Sequence, residues 1–185
     1  MQNSQFENLI VLDIETIPDT SCAYQLCNLD NKIEYSEQEL RQKIEEYHLN
    51  ITDGKNTFPR QLFHKVVCIS FLEAKIEQLD NGKNFLHFGK LQTYSCMQKS
   101  TEEEMIQKFW DYLKSKKPQI VTFNGRTFDI PVLKYRAMKY KIDCGWFFDF
   151  GGKWDGYGSK YAKAHMDMID FLSDFNKKDS ISVKA

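Results

Sequence analysis

Residues Leu9–Pro18 read LIVLDIETIP, and this stretch decides the fold. Leu9 to Leu12 form a short apolar run with β-branched members, the mark of a buried strand. Asp13 and Glu15 follow at once. Alternate side chains of a strand leave the same side, so both carboxylates are expected on one face. Ionised carboxylates are costly to bury unpaired. Two of them together at the end of an apolar strand need a reason. A hard divalent cation, which takes carboxylate and water oxygens, is one. A strand end entering a polar turn is the plainer alternative, and for either carboxylate alone the two weigh about the same.

Around this strand the chain has 185 residues, enough for one domain with a sizeable core. It is 42% hydrophobic and 28% charged with a net charge of -1, so any nucleic-acid contact must come from a local patch. The five cysteines are odd in number and make no CxxC pair. They read as reduced thiols of a cytoplasmic protein, not as a disulfide framework or zinc site. The start, MQNSQFEN, has no signal-peptide apolar region, and no run approaches the roughly 20 residues that span a bilayer, so no membrane is implied.

Residues 19–59 are polar and read as an insertion after the first strand, within a single domain of residues 1–185. Inside it Ser36–Tyr47 predicts a helix, with Ser36 and Glu39 as a capping box. Lys65–Ala74 and Asn84–Leu91 predict two strands around an Asn-Gly turn, an antiparallel pair beside the first. Thr101–Lys116 predicts a helix capped by Ser100 or Thr101, whose Met and aromatic stripe belongs to the core. Gln119–Phe123 predicts a buried strand, Asn124–Thr127 a turn, and Asp129–Lys141 a helix with Pro131 in its first turn. His165–Phe175 predicts a strand running into a helix. Residues 145–161, rich in Gly and aromatics, read as a loop.

The second notable stretch is Ile120–Leu133, IVTFNGRTFDIPVL. Its plain reading makes Asp129 a helix N-cap. Together with the first stretch, however, it sets a DxE after one apolar strand and an N-x4-D after another. The pair resembles the 3′–5′ exonucleases of the DEDD superfamily. DIE at Asp13–Glu15 is similar to their first motif and NGRTFD at Asn124–Asp129 to their second. The nearer resemblance is to a group of predicted 3′–5′ exonucleases related to the proofreading domain of family-B DNA polymerases. DIETIP, HKVVCISF at His64–Phe71, VTFNGRTFDIPVLKYRA and HMDMIDFLS at His165–Ser173 all fit that group.

The resemblance implies an α/β, ribonuclease H-like fold, a mixed sheet flanked by helices. It implies two-metal hydrolysis with Mg²⁺ or Mn²⁺, the ions roughly 4 Å apart. Asp13, Glu15 and Asp129 would be the catalytic and metal-binding residues. Asn124 and Phe128 would lie beside the terminal nucleotide. The partner would be a single-stranded 3′ end, DNA ahead of RNA, with the oligomeric state left open.

The pattern departs from the family at one place. Its fourth carboxylate comes from a late YxxxD, and Tyr140–Asp143 is one residue short of that spacing. Related sequences continue for several more elements, so the expectation is a fold incomplete at the C-terminus, open on one sheet face, cleaving slowly or not at all. His165 and Asp170 have the HxxxxD spacing of another branch, against the plainer reading of a strand end and a helix cap for Asp167 and Asp170. Arg126, Lys134, Arg136, Lys139 and Lys141 could contact phosphates or form a solvated helix face. The competing class is a non-catalytic nucleic-acid-binding or interaction module on the same fold. A structural α/β domain with coincidental carboxylates is the third reading.

Overall fold

The computed structural model describes residues 6–78, 81, 83–96, 100–148, 156–158 and 163–173. The Asn-Gly turn, much of the Gly-rich 145–161 stretch and residues 174–185 lie outside them.

Strand β1 (Asn8–Pro18) is central in a five-stranded sheet. It pairs antiparallel with β2 (His64–Gln78), which pairs antiparallel with β3 (Asn84–Ser95). On the other side β1 pairs parallel with β4 (Gln119–Thr122), and β4 with β5 (His165–Asp167). The order β3-β2-β1-β4-β5, antiparallel on one side of β1 and parallel on the other, is the mixed α/β sheet expected.

β1 alternates strictly: Ile10, Leu12 and Ile14 are buried, whereas Val11, Asp13 and Glu15 are exposed. The fully buried apolar run expected here is therefore buried on one face only, with Val11 44% exposed. The cause lies in the helices. α3 (Glu102–Lys116) and α4 (Asp129–Lys139) both pack into the core cluster that holds Ile10, Leu12 and Ile14. Met105, Ile106, Phe109, Trp110 and Leu113 of α3 are buried in it, as their helical spacing predicts. Thr101 is the N-cap of α3, in a capping box with Glu104.

The insertion has its own small core. A 3-10 turn at Thr20–Cys22 leads into the short helix α1 (Ala23–Leu26), and Ala23 packs with Leu40 and Ile44 of α2 (Glu37–Ile51). Ser36 and Glu39 cap α2 reciprocally, as predicted. The short helices α5 (Gly145–Phe148) and α6 (Met168–Leu172) complete the described elements. All five cysteines are free. Among the described residues, no helix is long and apolar enough to cross a membrane.

Candidate active site

The register of β1 and β2 shifts between Glu15 and Thr16. Such a bulge bends a strand and re-aims its side chains, here one residue past the DxE pair. Thr16 is tied at this point to His64, whose Nδ1 lies 2.9 Å from the Thr16 hydroxyl. The Nε2 of His64 lies 2.9 Å from the Pro59 carbonyl. A carbonyl only accepts, so Nε2 carries the proton and Nδ1 accepts from Thr16. Burial pushes the imidazole below its usual pKa and so favours the neutral ring, with the Pro59 carbonyl opposing the shift. His64 thus fastens the end of the insertion to β1.

That fastening brings Phe58 and Gln61 to the carboxylates. The Phe58 ring lies 4.8 Å from the His64 ring and 5.6 Å from Phe128, centroid to centroid. It is 55% exposed. Gln61 donates to the Thr127 carbonyl at 2.9 Å. A cleft of about 510 Å³ results, lined by Asp13, Glu15, Phe58, Gln61, Asn124, Thr127, Phe128 and Asp129 among others. All five residues singled out from the motifs, Asp13, Glu15, Asn124, Phe128 and Asp129, are in that lining.

The second motif is shaped by close packing. Asn124 has φ of 62°, in the left-handed region. A Cβ on Gly125 would sit 2.5 Å from the Thr122 Cβ, so no larger residue fits without a shift. The Thr127 hydroxyl donates to the Asn124 Oδ1 at 2.5 Å and closes the loop. Asp129 is the first residue of α4, and Phe128 is its N-cap without a side-chain bond. The N-cap reading of Asp129 is thereby corrected. The backbone N–H groups of Asp129 itself and of Ile14 instead favour the ionised form of its carboxylate. β4 pairs with β1 only as far as Val11, so further along β1 presents that N–H toward the loop.

Asp129 is buried, and its pKa is pushed up to about 7. Desolvation is the main cause, and the charges of Asp13 and Asp167 add to it. Asp13 and Glu15 are exposed, and among the described residues neither is ion-paired. The donor set is therefore all oxygen and rich in uncompensated negative charge, which suits Mg²⁺ or Mn²⁺. Among the described residues, no group of three or more His, Cys, Asp or Glu side chains is gathered so that it could hold a metal ion as a dedicated cage. Mg²⁺ rarely uses one. It keeps waters and takes one or two carboxylates plus substrate phosphate.

Other candidates stand elsewhere. His165 is buried and shares a 2.8 Å hydrogen bond with the Thr122 hydroxyl. Burial pushes its pKa down to about 4, with the Arg126 charge acting the same way and Asp170 opposing. Asp170 pairs with Arg126 at 3.4 Å. Neither lines the cleft. Arg136 is no phosphate ligand: it is buried and ion-paired to Asp19 and Glu102. Lys139 donates to Asp19 at 2.8 Å. His87 pairs on the surface with Glu77. Phe58, Gln61 and His64 escaped sequence reasoning. The signal was present as an aromatic and a proline, Phe58 and Pro59, closing a polar segment just before β2.

A family described as predicted 3′–5′ exonucleases related to the exonuclease domain of PolB matches residues 56–185. That span includes Asn124–Asp129 and begins after Asp13 and Glu15. No curated protein matches the chain. Among solved structures, a family B DNA polymerase from the hyperthermophilic archaeon Pyrobaculum calidifontis is similar over 97% of this chain and 17% of its own, at 19% identity and a TM-score of 0.44. An ExoI/SSB-Ct complex is similar over 98% of this chain and 33% of its own, at 10% identity and a TM-score of 0.41. The chain thus spans about a third or less of the structures it resembles. With the family match covering well over half of its length, the chain belongs to the predicted 3′–5′ exonucleases related to the exonuclease domain of PolB.

Proposed function

We propose that this chain is a metal-dependent 3′–5′ exonuclease that shortens single-stranded nucleic acid from its 3′ end, DNA ahead of RNA. The observation that carries the reading is the meeting of Asp13, Glu15 and Asp129 in one cleft. They come from two distant stretches, and two of them are exposed without a paired cation. Residues 1–185 act as one unit, with the 19–59 insertion contributing Phe58 to the rim up to its last residues. Five free thiols suit a reducing, cytoplasmic setting.

Asp13, Glu15 and Asp129 would hold two Mg²⁺ or Mn²⁺ ions. When bound, such ions supply an activated water and positive charge for the scissile phosphate. The chain's own residues do the rest. The bulge after Glu15 sets the aim of the DxE pair. The N–H of Ile14 favours the ionised form of the Asp129 carboxylate beside β1. Asn124 offers its side chain in the cleft from a closed loop. The rings of Phe128 and Phe58 form an apolar wall on which a terminal nucleotide can rest.

A non-catalytic nucleic-acid-binding module is the second reading. It is favoured by the lack of a three-residue ligand cage among the described residues. One assay separates the two: 5′-labelled single-stranded DNA and RNA with Mn²⁺, beside Asp13→Ala and Asp129→Ala. A ladder shortening from the 3′ end, lost in both variants, is expected. Binding without shortening, by a folded chain, would leave the module.

A further inference from the structure

Asp167 ends β5 and is almost wholly buried. Its carboxylate accepts from three backbone N–H groups: Asn124 at 2.7 Å, Arg126 at 2.9 Å and Ile169 at 3.3 Å. The bond to Ile169 is the ordinary work of a helix cap. The other two are not local. They take both carboxylate oxygens to the loop that follows β4. Bonds from N–H to an ionised carboxylate are roughly twice as strong as neutral ones, and burial keeps water from replacing them.

The loop so gripped is the one that delivers Asp129. Asn124 is held in the left-handed region, a conformation that persists only where the surroundings over-determine it. Gly125, between the two gripped N–H groups, is pressed against Thr122. Thr122 in turn is bonded to His165, two residues before Asp167 on β5. From Asn124 onward the chain has little freedom. The Phe128 N–H donates to the Asn124 carbonyl at 3.2 Å, and the Ile130 N–H to the Gly125 carbonyl at 2.9 Å. A shift of Asn124 is therefore carried into the first turn of α4.

We propose that Asp167 is a positioning residue of the cleft: by gripping the N–H groups of Asn124 and Arg126 from β5, it sets where Asn124 and Asp129 stand against β1. It touches no substrate. Its kinetic consequence rests on the exonuclease reading, whereas the grip does not.

Asp167→Asn tests it. The amide has nearly the same shape, but one of its two arms turns from acceptor to donor, so it cannot take both N–H groups. A misplacement of about 1 Å costs on the order of 100-fold in rate. The expected result is a folded variant by circular dichroism whose kcat on single-stranded DNA with Mn²⁺ falls about 10- to 100-fold, with KM changed by less than about threefold. Gly125→Ala, which pushes the same loop off β4 while leaving Asp167 in place, is expected to give the same split. A kcat within about twofold of wild type in a folded Asp167→Asn would overturn the proposal, as would a loss confined to KM.

Amide proton spectra of the wild-type chain decide the grip without any variant. The Asn124 and Arg126 amides are expected downfield and slow to exchange, and fast exchange at both would overturn it even if Asp167→Asn does not fold. A wild-type chain that cleaves nothing would refute the exonuclease reading instead. The same amide spectra, with Mn²⁺ broadening of Asp129 and Ile14 compared between wild type and Asp167→Asn, would then judge the positioning. Identical broadening in the two would sink it.

Discussion

The carboxylate of Asp129 is stabilised in its ionised form by the backbone N–H of Ile14, the residue between Asp13 and Glu15. The two motifs are far apart in sequence, and this interaction couples them without using the side chain of either acid on β1. It leaves Asp13 and Glu15 open while holding Asp129 beside them. The arrangement stores electrostatic tension, since Asp129 is buried near two other carboxylates.

That tension predicts the behaviour of Asp129→Asn. An amide oxygen can still accept from Ile14, and the buried charge is gone. With its folded pKa raised to about 7 from 3.8, Asp129 costs stability increasingly as pH rises through that window. In EDTA at pH 8 the variant is expected to be more stable by about 2 kcal/mol, or several degrees in Tm. Adding Mn²⁺ should raise the Tm of the wild type and leave that of the variant nearly unmoved. Thermal shift measurements with and without metal check both parts. An unchanged or lower Tm in EDTA would mean that the carboxylate is not under strain.

His165 predicts a pH dependence of the opposite sign. Its folded pKa is pushed down to about 4 from 6.5, so between those values the unfolded chain binds more protons. The stability it contributes is complete above pH 6.5 and is lost as pH falls through that window. His165→Gln can still bond to Thr122 but does not titrate. Urea unfolding of the variant between pH 4.5 and 6.5 is expected to show a shallower slope than the wild type, by up to one proton. Parallel slopes would count against a buried neutral His165.

Arg136 is expected to matter for folding and not for substrate charge. It is buried between Asp19 and Glu102, and Tyr140 donates to Glu102 as well, at 2.6 Å. Arg136→Met would leave two buried carboxylates without their shared cation, costing about 3–5 kcal/mol. Lys134→Ala, on the same helix, where the ammonium lies over the rings of Tyr135 and Phe148, should cost well under 1 kcal/mol by comparison. Equal denaturation midpoints for the two variants would contradict this.

Phe58 is expected to matter for substrate and little for folding. Its ring is 55% exposed at the rim of the cleft. Stacking of one base on an aromatic ring is worth about 1–3 kcal/mol. Phe58→Ala should weaken binding of single-stranded DNA by roughly fivefold or more, with a Tm near that of wild type. Fluorescence anisotropy with a labelled oligonucleotide in Ca²⁺ measures it, and unchanged affinity would remove Phe58 from the binding surface.

Much of this site was legible before the fold was known. The period of two in LIVLDIETIP placed Asp13 and Glu15 on one face, because strand side chains alternate whatever the surroundings. The box Ser36–Glu39, and the cap of α3 to within one residue, were readable because a cap is made by residues three apart. The tight turn at Asn124–Gly125 was legible for the same reason, and its motif led to Asp129.

What escaped depends on contacts between residues distant in sequence. Arg136 looked like a surface cation because helical spacing does not say which acids face it, and only the packing of α4 brings Asp19 and Glu102 there. The partners of His64 are not legible in the sequence, because Thr16 and Pro59 meet it only once β1 and β2 pair. Asp129 looked like a cap because its spacing to Pro131 fits one, whereas the Ile14 N–H becomes available only where β4 ends beside β1. By itself the sequence determined the local periods, the caps and the two acidic motifs, all set by short-range geometry. The tertiary structure alone decided which carboxylates share a cleft and which charges are buried in pairs, because those outcomes depend on how strands pair and helices dock.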